Sequence, residues 1–217
     1  MTRRGILRDA LGIAVASGAY AISFGAISTA AGLTLLQTCA LSVLMFTGAS
    51  QFALVGVVGA GGGVWAGALA AALLGSRNAL YGVRLSTLLD IRAWRRPLAA
   101  QFVIDETTAM AIARDDRSLS RFAFWATGLA LFVLWNVGTL VGALATHLIS
   151  DPKVFGLDAA PPAAFLALVA PRLRAREPLA IAIAAAVLAI AVLPFVPPGA
   201  PLLIVALGVA VFGLARR

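Results

Sequence analysis

An aspartate and a glutamate side by side, Asp105 and Glu106, stand inside the apolar stretch LAAQFVIDETTAMAIA, residues 98–113. An ionisable side chain at bilayer depth costs about 2.5–3.5 kcal/mol on insertion scales. A chain that keeps two such groups must compensate for them, and a polar route through the membrane is the usual reason. Burial disfavours the charged form of a carboxyl and a neighbouring cation favours it. A carboxyl balanced between the two can carry a proton; alternatively it can bind a substrate ammonium. On a helix, adjacent residues point about 100° apart. One carboxyl can therefore pair with a cation while the other faces a cavity.

The cation to expect is Arg77, in the run ALLGSRNALYGVRL. Arg84, a heptad later, can snorkel to the membrane edge, whereas Arg77 lies about 10 Å deeper by helical rise. Its expected partner is Asp105 or Glu106. A pair of this kind can be a lock between two helices or a transport element that a proton or substrate opens.

A third element is the small, polar interruption Thr47-Gly48-Ala49-Ser50-Gln51 within LMFTGASQFALVG. Thr47, Ser50 and Gln51 offer neutral donors and acceptors beside freed backbone, a mixture suited to a zwitterion. The alternative is a helix kink stapled by side-chain hydrogen bonds. Asn78, Tyr81, Trp135 and Asn136 add polar or amphipathic groups, with Tyr81 and Trp135 also suited to packing or an interface. His147, at the end of an apolar run, reads as solvated or structural.

Lipid is the solvent that composition implies. Of 217 residues, 61% are hydrophobic and 12% charged, with mean hydropathy +0.98; soluble domains carry about 25% charged residues. Apolar runs at residues 11–31, 122–149, 178–196 and 201–215 are long enough to span or nearly so. Continuity without alternation favours helices over a barrel. The expectation is an all-α, polytopic membrane protein, residues 1–217 forming one domain. The net charge of +8 lies at helix ends, the positive-inside pattern, and so argues for a bilayer and against nucleic acid. Leu11–Ala31 is longer than a signal-peptide core and reads as a first span. Cys39 is the only cysteine, which excludes an internal disulfide. The motifs of serine hydrolases, zinc proteases, P-loop proteins and dinucleotide enzymes are absent, so no catalytic residue, metal ligand or cofactor is expected.

The arginine clusters at 3–8, 84–96, 114–121, 172–176 and 216–217 are expected to be cytoplasmic, as are both termini. Counting crossings between them gives about six full spans. Two stretches give one crossing too many. Residues 35–60 are expected to form two short arms that meet at Thr47–Gln51 and enter and leave on one side. Residues 97–113, flanked by arginines on both sides, are expected to dip in and return, or to be matched by a further break that the sequence does not reveal. The paired interruptions suggest inverted halves, roughly 1–90 and 97–217. Glycines at small-xxx-small spacing, including Gly67 with Gly75 and Gly128 with Gly138 and Gly142, are expected to pack helices closely. GAGGG at residues 59–63 reads as a turn.

These strings resemble the AzlC-type large subunits of bacterial branched-chain amino acid exporters. The resemblance runs from about residue 18 to 170. It is carried by Phe24-Gly25, by Thr47-Gly48-Ala49-Ser50-Gln51-Phe52 and by Arg77-Asn78-Ala79-Leu80-Tyr81-Gly82. It continues through Ile104-Asp105-Glu106-Thr107, Trp135-Asn136-Val137-Gly138-Thr139, Gly156-Leu157-Asp158 and Pro162-Ala163-Ala164-Phe165. Asn78 stands where the family commonly has histidine, and Ile104 where it has threonine. The resemblance implies export of valine, leucine, isoleucine or methionine across the cytoplasmic membrane, coupled to the proton gradient. It also implies a small hydrophobic AzlD-type partner subunit. The rival expectation is a non-transporting membrane scaffold or assembly subunit.

Overall fold

The computed structural model describes residues 2–147, 166, 170, 172–196 and 200–215. The expected return span near 158–171, the strings at 156–158 and 162–165, the His147 side chain and the final arginines lie outside the described residues. Helix accounts for nearly all of what is described: α1 (Arg3–Ala30), α2 (Leu35–Leu44), α3 (Gly48–Gly59), α4 (Val64–Leu89), α5 (Arg96–Gln101), α6 (Asp105–Ile112), α7 (Arg117–His147), α8 (Arg176–Val192) and α9 (Ala200–Ala215). Among the described residues, three helical segments are long and apolar enough to cross a membrane: Arg3–Ala30, Arg117–Thr146 and Arg176–Phe195.

Helices α1 and α7 form the central pair. A Cβ at Gly25 would lie 2.0 Å from the Thr139 carbonyl, one at Gly138 2.2 Å from the Gly18 carbonyl, and one at Gly142 1.9 Å from the Ile22 carbonyl. The two backbones therefore touch, which is how small residues replace the missing hydrophobic drive between helices in lipid. The same reading holds for Gly67 against the Leu54 carbonyl and Gly128 against the Phe102 ring. Residues 60–63 form the turn from α3 to α4, with Gly61 at φ +83°.

Both expected interruptions are present. The first falls at Met45–Thr47, between α2 and α3, so Gly48 to Gln51 are the first helical turn of α3 and not the gap itself. The second falls at Phe102–Ile104, between α5 and α6. Each pair of arms is a hairpin. Gly59, at the far end of α3, sits against Ala31 beside the start of α2. At the opposite end of the molecule, Arg96 at the start of α5 donates to the Ile91 carbonyl, and Arg114 just beyond α6 pairs with Asp9 at 3.7 Å.

The two tips meet. Gln101 Nε2 donates to the Val43 carbonyl at 2.7 Å and lies 3.4 Å from that of Leu44. The Phe46 and Phe102 rings stand 6.0 Å apart, edge to face, and both pack on Phe132 of α7.

The arginine clusters within residues 3–121 gather at one end. Arg3 covers the Phe122 ring, Arg117 and Arg121 reach Asp90, and Arg121 Nε donates to the Leu89 carbonyl. Asp90, at φ +44°, ends α4 in the left-handed conformation.

Candidate functional site

Breaking a helix inside lipid frees backbone groups that must find partners. Gln51, fully buried one turn into α3, supplies them at the first break. Its Nε2 donates to the Leu41 carbonyl at 3.1 Å and the Ser42 carbonyl at 3.4 Å, while its Oε1 accepts from Trp135 Nε1 at 3.0 Å. With Gln101 on Val43 and Leu44, side chains satisfy the last turn of α2. Gln51 is thus the staple of the kink, and Trp135 its anchor on α7.

Thr107 plays the same part at the second break. Its hydroxyl donates to the Phe102 carbonyl at 2.5 Å and accepts from the Ile104 N–H at 3.2 Å. Replacing Gln51 with leucine is expected to leave the Trp135 N–H and the Ser42 carbonyl unpaired. At about 1–3 kcal/mol for each orphaned buried group, the unfolding midpoint in detergent should fall by several degrees with the secondary structure intact.

Against this scaffold lies a cavity of about 260 Å³. Thr47, Gly48 and Ala49 line it from the start of α3, and Ile104, Asp105 and Glu106 from the start of α6. Arg77 reaches in from α4, Tyr20 from α1, and Leu131 and Trp135 from α7. Two helix N-termini thus open on one space, each with first-turn N–H groups that have no intrahelical acceptor and a partial positive charge. Asp105 and Glu106 stand in the first turn of α6, where that charge favours carboxylates.

Arg77 Nη2 lies 2.6 Å from Asp105 Oδ2. Tyr81, one turn further along α4, donates to Asp105 Oδ1 at 2.8 Å. Both oxygens of Asp105 are therefore taken from α4. Glu106 lines the cavity and makes no hydrogen bond or ion pair to another side chain among the described residues. Arg77 Nε is buried without a hydrogen-bond partner.

Of the residues expected from sequence, the cavity collects Thr47, Gly48, Arg77, Asp105, Glu106 and Trp135. Tyr81 stands behind Asp105, and Gln51 behind Trp135. Ser50 is buried against Gly75 of α4, and Asn78 keeps a buried, unpartnered Oδ1; neither lines the cavity. Asn136 donates to Phe132 of its own helix.

Sequence reasoning missed Tyr20, whose ring packs 4.8 Å from that of Phe52 and 6.0 Å from that of Trp135. It also missed the bridging Gln101. A wider apolar groove of about 780 Å³ lies between α8 and α9, with Arg176 and Glu177 at its mouth. It lacks the convergent donors and acceptors of the first cavity.

The family model described as "AzlC protein" matches residues 12–149, more than half of the chain. The chain belongs to the AzlC family. The matched segment contains both helical hairpins and every residue that lines the cavity at their tips. Within the curated proteins, this AzlC chain is 30% identical over 143 residues to the inner membrane protein YgaZ of Escherichia coli strain K12. The match covers 64% of this chain and 58% of that protein, so less than two thirds of the relative's length is represented. No solved structure matches the chain. Family, relative and apolar helices together make it a membrane protein.

Proposed function

We propose that the chain is the large subunit of a secondary transporter that exports branched-chain amino acids, with methionine as a further substrate. It would work across the bacterial cytoplasmic membrane at the expense of the proton gradient, together with a small AzlD-type subunit. In this reading the arginine-rich end faces the cytoplasm, both termini lie there, and about six full spans surround the two hairpins.

One observation carries the proposal: a single cavity at the meeting point of two interrupted helices holds anion-seeking and cation-seeking groups together. The α3 and α6 N-termini and the guanidinium suit a carboxylate; Glu106 suits an ammonium. Tyr20, Phe46, Ile104, Leu131 and Trp135 offer an apolar wall for an aliphatic side chain. At about 260 Å³ the space lies below the range of roughly 300–1,000 Å³ for drug-sized ligands and suits one small solute. Pockets of this kind separate neighbours by only about 1–3 kcal/mol per methylene, which agrees with a broad branched-chain range.

The test is leucine and valine efflux from cells or vesicles that carry the chain with and without a co-expressed small hydrophobic subunit. Efflux above that of empty cells, several-fold higher with the small subunit, is the expected result. No efflux in either case would remove the proposal.

A second reading has its own support. The Arg77–Asp105–Tyr81 network ties α4 to α6, and a scaffold subunit would keep it as a lock.

A further inference from the structure

The two adjacent carboxylates are not equivalent. Asp105 is held at both oxygens by α4, and removing its charge would leave Arg77 uncompensated. Arg77 itself is permanently charged and cannot trade a proton. Glu106 shares the cavity with them and is held by neither Arg77 nor Tyr81. The groups that share its cavity are Arg77 from α4, Asp105 on its own helix, Tyr20 and Ser17 from α1, Thr47 before α3, and Trp135 from α7, with Tyr81 behind Asp105. Arg77 and Asp105 cancel as formal charges, so an ionised Glu106 has the helix N-termini beside it but no side-chain counter-ion in the cavity. A carboxylate without a counter-ion in a cavity between membrane helices calls for one monovalent cation beside it. The proton and a substrate ammonium are both such cations, and one carboxylate site serves one of them at a time.

Resting on the transport reading above, we propose that Glu106 is the exchange group of the cavity. It holds either one proton or the ammonium of the amino acid, while Asp105 is a positioning residue that fixes Arg77 for the carboxylate end. When solute arrives, the Glu106 O–H bond breaks, the proton passes to water on the side then open, and the ammonium N–H groups take its place. When solute leaves on the other side, a proton from that side re-forms the O–H bond. One proton thus crosses for each amino acid, in the opposite direction, with no other bond made or broken.

The full chain, co-expressed with its small subunit and reconstituted in liposomes, tests this with radiolabelled leucine. In the wild type a pH gradient should concentrate leucine at least tenfold. The half-saturation of leucine–leucine exchange should rise as pH falls, approaching tenfold per unit. Glu106→Gln should lose the concentrating step and show pH-independent exchange at saturating leucine; Glu106→Asp should keep both wild-type behaviours. Glu106→Gln that still concentrates leucine, or keeps the wild-type pH dependence, overturns the assignment. If Glu106→Gln exchanges nothing, Glu106→Asp decides: pH-dependent exchange supports the assignment, and exchange that is absent or indifferent to pH overturns it. A wild type that neither exchanges nor concentrates leucine overturns the transport reading itself, and this assignment with it.

Discussion

Asp105→Asn is expected to abolish leucine efflux and to lower the amount of stably inserted chain, and Arg77→Ala to do the same. Either change leaves half of an ion pair at the middle of α4 and the start of α6. Breaking a buried pair costs about 3–5 kcal/mol. Here the side chains are 29% and 38% exposed, so the cost lies between that figure and the roughly 0–1 kcal/mol of an exposed pair. The charge-exchanged double variant, Arg77→Asp with Asp105→Arg, separates the two readings of the pair. It should recover much of the inserted protein, because opposite charges again face one another. It should not recover efflux. An arginine at position 105 would sit on the positive end of α6, against the dipole that favours an acid there. It would also deprive the Tyr81 O–H of the carboxylate that now accepts it. Full recovery of both abundance and efflux would show that the pair is a lock and no more.

How much of this was legible beforehand follows from the kind of signal each element leaves. The hairpins were visible because arginines mark the ends of spans, and too many apolar segments lay between Arg8 and Arg121 for simple crossings. The partner of Arg77 was visible because a mid-helix cation in lipid leaves few choices. The exact breaks were not. Glycine and serine in Thr47–Gln51 look like a gap, yet Gly48 is in the helix, and its missing side chain makes room for the Trp135 ring. A Cβ there would come within 2.8 Å of that ring, a contact 87 residues away in sequence. The second break, at Phe102–Ile104, has no glycine or proline. Its signal was the acidic pair that opens the next helix, with Thr107 three residues after Ile104 to bind the loose backbone. Gln101 was missed because a polar residue near an arginine cluster reads as solvated; its reach to α2 exists only once the two tips are brought together.

Gly142→Ala is expected to be among the most damaging single-methyl changes in the chain. In an ordinary helix, alanine in place of glycine is favourable by about 0.5–1 kcal/mol. At position 142 the added carbon would lie 1.9 Å from the Ile22 carbonyl oxygen and 2.7 Å from its carbon. Those are backbone atoms of α1, with no rotamer to yield. Relief requires α1 and α7 to separate by more than 1 Å, roughly the difference between that distance and ordinary contact. Gly25 and Gly138 lie on the same seam, so separation would loosen their contacts also. The effect reaches the cavity, since Tyr20 stands on α1 and Leu131 and Trp135 on α7. The control is Gly56→Ala in α3, where an added carbon meets nothing within 4 Å; it should be neutral or mildly stabilising. Thermal unfolding of the two purified variants in detergent makes the comparison. A Gly142→Ala variant as stable as Gly56→Ala would mean that the α1–α7 seam is not the close backbone contact on which the cavity is built.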